Sequence, residues 1–286
     1  MYPNRIKVDQ KIIDPWRFDV ARNESLKLIP DDVDWWLCID LDEEVIEPNL
    51  KPLIESQLAK YQGRNISTIN YLYNWGDNRI FYYDKLHKKE DGGKWVGAVH
   101  EGYVVPHPDP VHGIIEKVLV VHHADRSKPR NYLPLLELRA KENPDDMMSW
   151  LYLMLEYTYR GMWQKAMDVI QEHLLDYAQT NLFDETSTYI IFYAGLCSRR
   201  LDRKMSALHY FIVAATQGCL EAALERMEIY LELGDILKAR REISRFMEML
   251  DDGRCSNNFW MELVNAASYK FRERLDTVFK KVTKIR

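Results

Sequence analysis

Hydrophobic and polar positions change their period once along this chain. Before about residue 130 the apolar residues run together briefly or alternate with polar ones, the spacing of strands. The run Val33–Ile39 is strand-length, rich in β-formers and mostly apolar, which predicts a strand buried on both faces. Residues 5–16 alternate and predict a strand ended by Pro15. Residues 66–73 and 79–83 predict an antiparallel pair around the turn signal Trp75-Gly76-Asp77-Asn78, and 114–121 predict a further strand ending in His122-His123-Ala124-Asp125. Between them lie a predicted helix opened by Ala21-Arg22-Asn23 and closed near Pro30, and another from Pro48 or Asn49 to about Tyr61, stopped by Gly63.

From Asn131 on the period is helical. Asn143-Pro144-Asp145-Asp146 reads as a helix stop followed by a cap. Trp150, Leu153, Tyr157, Gly161, Ala166 and Ile170 then fall at the packing positions of a tetratricopeptide repeat: an aromatic anchor, a turn, and a small residue where two helices touch. Looser copies have Ala194-Gly195, Ala207, Phe211 and Ala214, then Tyr230, Gly234, Ala239 and Ile243. Helix pairs of this kind stack on their neighbours, so a solenoid is expected, with residues 256–286 as a capping segment whose cations serve solubility and the last helix dipole. The predicted class is α/β followed by all-α, in two domains, 1–130 and 131–286.

Composition narrows the function classes. With 39 Lys+Arg against 44 Asp+Glu and no basic block, a nucleic-acid binder held by phosphate neutralisation is not expected. No run of 18 apolar residues or secretory signal occurs, so no membrane span is expected. Cys38, Cys197, Cys219 and Cys255 form no C-x-x-C pair, which fits reduced thiols in a cytoplasmic protein.

The candidate chemistry gathers at three places. Val33–Ile39 ends in Asp40, Asp42, Glu43 and Glu44. Two carboxylates two residues apart can converge on a hard divalent cation, although a bare Asp-x-Asp is also an ordinary acidic turn. Trp95 offers a flat ring before His100-Glu101, and His122-His123 supplies imidazoles at a strand end. Alternation puts one of those two histidines on each face of its strand, and likewise separates His100 from Glu101. On spacing alone His100-Glu101 reads as a loop pair at a strand end, although a carboxylate beside an apolar wall, as expected for Glu101, can serve as a general base.

The order Ala-Arg-Asn, short helix, Asp-Trp, apolar strand, Asp-x-Asp-Glu resembles the family 2 glycosyltransferases of the GT-A fold, a Rossmann-like nucleotide-sugar domain. Trp-x-Gly-x-Val-His-Glu resembles a segment carrying the acceptor-side acid/base residue in a bacterial branch of that family, which includes lipooligosaccharide glucosyltransferases and a peptide S-glycosyltransferase. The resemblance covers about residues 10–135 and implies an inverting, metal-dependent transferase. It implies Mn²⁺ or Mg²⁺ on Asp42 and His122. A nucleotide-diphosphate sugar, expected to be a uridine diphosphate sugar, would be held by Arg22, Asn23, Asp40, Trp95, His100, Lys128 and Arg130. Glu101 would act as base toward a protein, peptide or glycan acceptor, with the repeats available to hold it and a homodimer left open. Lys128 and Arg130 read equally as linker charges, and the pattern favours His122 over His123. Such domains begin with two further strand–helix units that bind the nucleotide base, so a truncated sheet with an open edge is expected. A non-catalytic tetratricopeptide scaffold with a degenerate sugar-nucleotide domain is the alternative.

Overall fold

The β-branched and aromatic run Ile66–Gly76 forms the middle strand of a five-stranded sheet. The computed structural model describes residues 7–62, 64–76, 79–89, 92–106, 111–123, 125, 131–182, 184–251 and 270–284. They divide into two units, Met1–Arg139 and Ala140–Arg286.

In chain order the strands of the first unit are β1 (Trp35–Leu37), β2 (Glu43–Val45), β3 (Ile66–Gly76), β4 (Arg79–Lys88), β5 (Lys94–Val96), β6 (Gly102–Val104) and β7 (Val111–His122). The large sheet runs β1-β4-β3-β7-β2, while β5 and β6 form a separate antiparallel hairpin. Within the large sheet β3 and β7 are parallel, and the other three pairings are antiparallel. Ile66, Ile69, Tyr71 and Tyr73 of β3 meet Leu86, Ile115, Leu119 and Val120 in a buried core. Against it pack Leu53 and Ile54 of α2 (Lys51–Lys60), a helix with Pro52 in its first turn, where a missing N–H costs nothing. The other helix of the sheet region, α1 (Phe18–Leu26), starts three residues ahead of the predicted Ala21.

Several expectations are corrected. The strand before the acidic turn is three residues long, half-buried, and at the sheet edge, so it is not the doubly buried strand that its apolar run suggested. Residues 7–16 form no strand, and Val8 and Ile12 are exposed; alternation alone makes no ladder without a partner. The two units divide after Arg139, where Tyr132 packs on Phe18 and Arg139 bonds to residues 99 and 100. That point lies within α3 (Leu133–Glu142).

The described residues of the second unit form a succession of helices. They are α4 (Met147–Tyr159), α5 (Trp163–Val169), α6 (Leu175–Thr180), α7 (Glu185–Arg200), α8 (Lys204–Thr216), α9 (Leu220–Glu232), α10 (Ile236–Asp251) and α11 (Phe271–Lys284). Asp146 caps α4 by accepting the Met148 N–H at 3.2 Å, and Asp184 caps α7 through the Ser187 N–H at 3.2 Å. A wider π-helical turn at Ile170–Leu174 joins α5 to α6, which the period did not foretell. Three-residue turns at 160–162, 201–203, 217–219 and 233–235 fold successive helices back on one another, giving a tetratricopeptide-like array. Gly161 and Gly234 sit in two of these turns, and Ala166, Ala207 and Ala239 are fully buried at the contacts. Of the tail, residues 270–284 are described. Arg274 does more than solubilise, since it bonds to Glu225 and Glu228 of α9 at 2.7 Å each. No helix among the described residues is long and apolar enough to cross a membrane.

Candidate functional site

Two strand pairings assemble the site. β1 pairs with β4 so that Trp36 faces His87, and the Cys38 N–H continues the ladder to the Lys85 carbonyl at 3.0 Å. Asp40 thereby comes within reach of Lys85. β2 pairs with β7 so that Glu43 faces His122, and the His123 N–H bonds to the Asp42 carbonyl at 2.7 Å. Asp42 is thus set beside His122.

Around Asp40 lies a chain of charges. Its carboxylate accepts from Arg22 Nη2 at 3.1 Å and from Lys85 Nζ at 2.9 Å. Lys85 Nζ also donates to Glu43 Oε1 at 2.9 Å, and the same oxygen accepts the Tyr73 hydroxyl at 2.6 Å. Glu43 Oε2 accepts the backbone N–H of Asp40 at 2.8 Å, which fixes the acidic turn. Lys85 has 4% of its side chain exposed; burial opposes its charge, but Tyr83, Asp40 and Glu43 outweigh that and raise its pKa. Asp40 is likewise pushed up by burial, yet Lys85 and Arg22 prevail and hold it below the ordinary carboxylate range.

Arg22, on α1, connects this chain to the His-Glu segment. Its Nε donates to Glu101 Oε1, its Nη1 to Cys38 Sγ at 2.8 Å, and its guanidinium lies 5.1 Å from the Trp95 ring centre. The segment itself is a turn: Gly97 has φ 109° and His100 has φ 51°. His100 and Glu101 therefore do not alternate as extended chain does, and the alternation expected of them is corrected. A side chain at position 97 would also crowd the Arg139 guanidinium, 3.4 Å from an added Cβ. Four bonds anchor the turn independently of Glu101. Phe18 N–H reaches the Ala98 carbonyl at 3.0 Å, and Gly97 N–H reaches Asp19 at 3.2 Å. Arg139 Nη1 donates to the carbonyls of Val99 and His100 at 2.7 and 2.5 Å.

Asp42 and His122 stand as a separate pair, with Oδ2 and Nε2 3.3 Å apart and 42% of the Asp42 side chain exposed. His123 instead points to Glu44 at 3.0 Å and is exposed. A hard cation that keeps one or two protein ligands and completes its shell with substrate phosphates and water fits such a pair. Two features limit that fit. His122 Nδ1 is buried without a hydrogen-bond partner among the described residues, whereas metal-bound imidazoles usually donate their second N–H. Among the described residues, no three His, Cys, Asp or Glu side chains form a metal-holding group.

The remaining candidates separate. Trp95 is 5% exposed with Arg22 over its ring, so it is a wall beneath the arginine and not an open sugar platform. Asn23 binds both ends of the Trp95 backbone, Nδ2 to the carbonyl at 2.8 Å and Oδ1 from the N–H at 2.9 Å. Its amide therefore positions β5. Glu101 meets a guanidinium where an apolar wall was expected. The His100 ring is exposed near Tyr132, and Lys128 and Arg130 lie outside the described residues. Asp40 and Asp42 do not converge: one is engaged by Arg22 and Lys85, the other by His122. Sequence reasoning missed Lys85 and Tyr73, and it named Glu43 only as part of the acidic turn. Lys85, a cation buried in a strand of aromatics, was the one signal available, since lysines are almost never fully buried unless paired.

No family model and no curated protein matches the chain. Among solved structures, one titled MamA MSR-1 C2 matches at 18% identity over 42% of this chain and 67% of its own, with a TM-score of 0.36. MamA 41-end from Desulfovibrio magneticus RS-1 matches at 11% over 42% and 65%, with a TM-score of 0.37. The match to Crystal structure of MamA has 15% identity over 53% and 85%, with a TM-score of 0.36. The chain spans about two thirds of the first of these. Likeness at this level carries no argument about function.

Proposed function

We propose that the chain is an inverting, metal-dependent glycosyltransferase of the GT-A, family 2 type. It would move a sugar from a nucleotide-diphosphate donor to a protein, peptide or glycan acceptor. One observation carries the reading: Arg22 touches both Asp40 and Glu101, which joins the acidic turn to the His-Glu segment in one site. Charge supports it: Arg22 and Lys85, both largely buried, set two fixed cations beside Asp40. Asp42 and His122 would hold the Mn²⁺ or Mg²⁺, which would supply charge to a leaving diphosphate.

The chain's own groups have separable tasks. Arg22 and Lys85 are fixed cations for the donor phosphates, which a guanidinium can engage bidentately. Glu101 takes the proton of the acceptor hydroxyl or thiol. The nucleophile then bonds to the anomeric carbon as the bond to the diphosphate breaks in line. The competing reading, a scaffold with a degenerate sugar domain, draws on the cations already held by Asp40 and Glu101.

Mn²⁺ with a uridine diphosphate sugar is expected to raise the melting temperature, and Asp42→Ala to abolish the rise, since a ligand stabilises only the state that binds it. No shift with any common nucleotide sugar, in protein that melts cooperatively, returns the chain to the scaffold reading.

A further inference from the structure

Resting on that reading, we infer that Arg22 is a donor-operated latch on Glu101. Donor phosphate draws the guanidinium off the carboxylate and so frees the base once the donor is in place. Among the described residues Arg22 is the only cation paired with Glu101, and both side chains are largely buried. The guanidinium Nε occupies Glu101 Oε1 and holds the carboxylate against α1, so the group is oriented toward the arginine and not toward an acceptor. Asp40 differs, because Lys85 holds it as well. It can keep its place while Arg22 turns.

The exchange is chemically balanced in the donor's favour. A diphosphate presents more charge than a carboxylate and accepts the same planar, bidentate donors. The turn that carries Glu101 does not depend on the latch, being anchored by Phe18, Asp19 and Arg139. Releasing Arg22 therefore exposes the carboxylate without moving its backbone. The consequence is an order of events: an acceptor meets an active base only in the donor complex.

A competitor for Arg22 must weaken phosphate binding, which fixes the sign of the test. In titration calorimetry of the full chain with UDP and Mn²⁺, Glu101→Gln is expected to bind about tenfold tighter than wild type. Arg22→Gln should bind more weakly than either. In the unaltered protein, carbodiimide labelling of Glu101, read by peptide mass spectrometry, should rise when UDP and Mn²⁺ are added, which needs no variant to fold. Unchanged or weaker UDP binding by a natively folded Glu101→Gln, or labelling that does not rise, overturns the latch and leaves the donor site standing. Failure of wild type to bind UDP, GDP or dTDP overturns the donor reading, and the latch with it.

Discussion

His87 illustrates how far one residue can be moved by its surroundings. Its ring lies among Trp36, Tyr103 and Trp95, with centroids 4.8, 4.4 and 5.7 Å away. Nδ1 meets the Thr68 hydroxyl at 3.2 Å. Burial, helped by the charge of His112, holds its pKa down to about 3 against an ordinary 6.5. The folded state therefore prefers the neutral ring, and the unfolded chain binds the proton first as pH falls. The stability contributed is complete above pH 6.5 and is lost progressively toward pH 3, at roughly 1.4 kcal/mol per pH unit. Glu221 titrates with the opposite sign in the same window, so in near-ultraviolet melts between pH 6.5 and 5 this slope should appear as the difference between the protein and its His87→Phe variant. The variant should lose the acid destabilisation, and identical pH dependence in the two proteins would assign the acid sensitivity to other groups.

At the scale of elements, α7 and α8 come together through a glycine. A Cβ at Gly195 would stand 2.5 Å from the Phe211 ring, which is wholly buried. Helix propensity alone favours Gly195→Ala by about 1 kcal/mol. Overpacking costs roughly 1–3 kcal/mol, and here the obstacle is a ring with no room to retreat. The variant is expected to lower the denaturation midpoint, and a rise would mean that the helices slide apart at little cost. The sheet works differently. β1 and β2 are only three residues each, yet their pairings with β4 and β7 set Asp40 beside Lys85 and Asp42 beside His122.

At the scale of the whole molecule the two units have separate buried cores and separate pH logic. Glu221, fully buried in the first turn of α9, accepts from the Cys219 thiol at 3.5 Å, and burial pushes its pKa up to about 7 from 4.5. Because the folded value is raised, the stability it contributes is complete below pH 4.5 and is lost as pH climbs through 7, a fall of about 3 kcal/mol. A fragment from Asn131 to Arg286, which keeps α3 whole, is expected to fold alone, as stacked repeats contact mainly their neighbours. Followed by circular dichroism, it should melt higher at pH 5 than at pH 7.5, with Glu221→Gln removing most of the difference. A fragment without a cooperative melt would show that the array depends on the sheet unit.

Local patterning was enough for the helix pairs of the second unit, the π-helical turn at Ile170–Leu174 apart. The positions of Ala166, Ala207 and Ala239 and the turns at Gly161 and Gly234 follow from contacts three and four residues apart, which a period records directly. Residue chemistry likewise singled out Asp40, Asp42, Glu101 and His122 as candidates. Long-range pairing settled their partners. Arg22 and Glu101 are 79 residues apart, and Lys85 lies 45 from Asp40. Nothing periodic along the chain marks such a pair, because it depends on which strand lies beside which. The same reason explains why Trp95 read as an open face. Burial by Trp36, Tyr103 and Arg22 is a property of three separate segments meeting, and no one segment carries it.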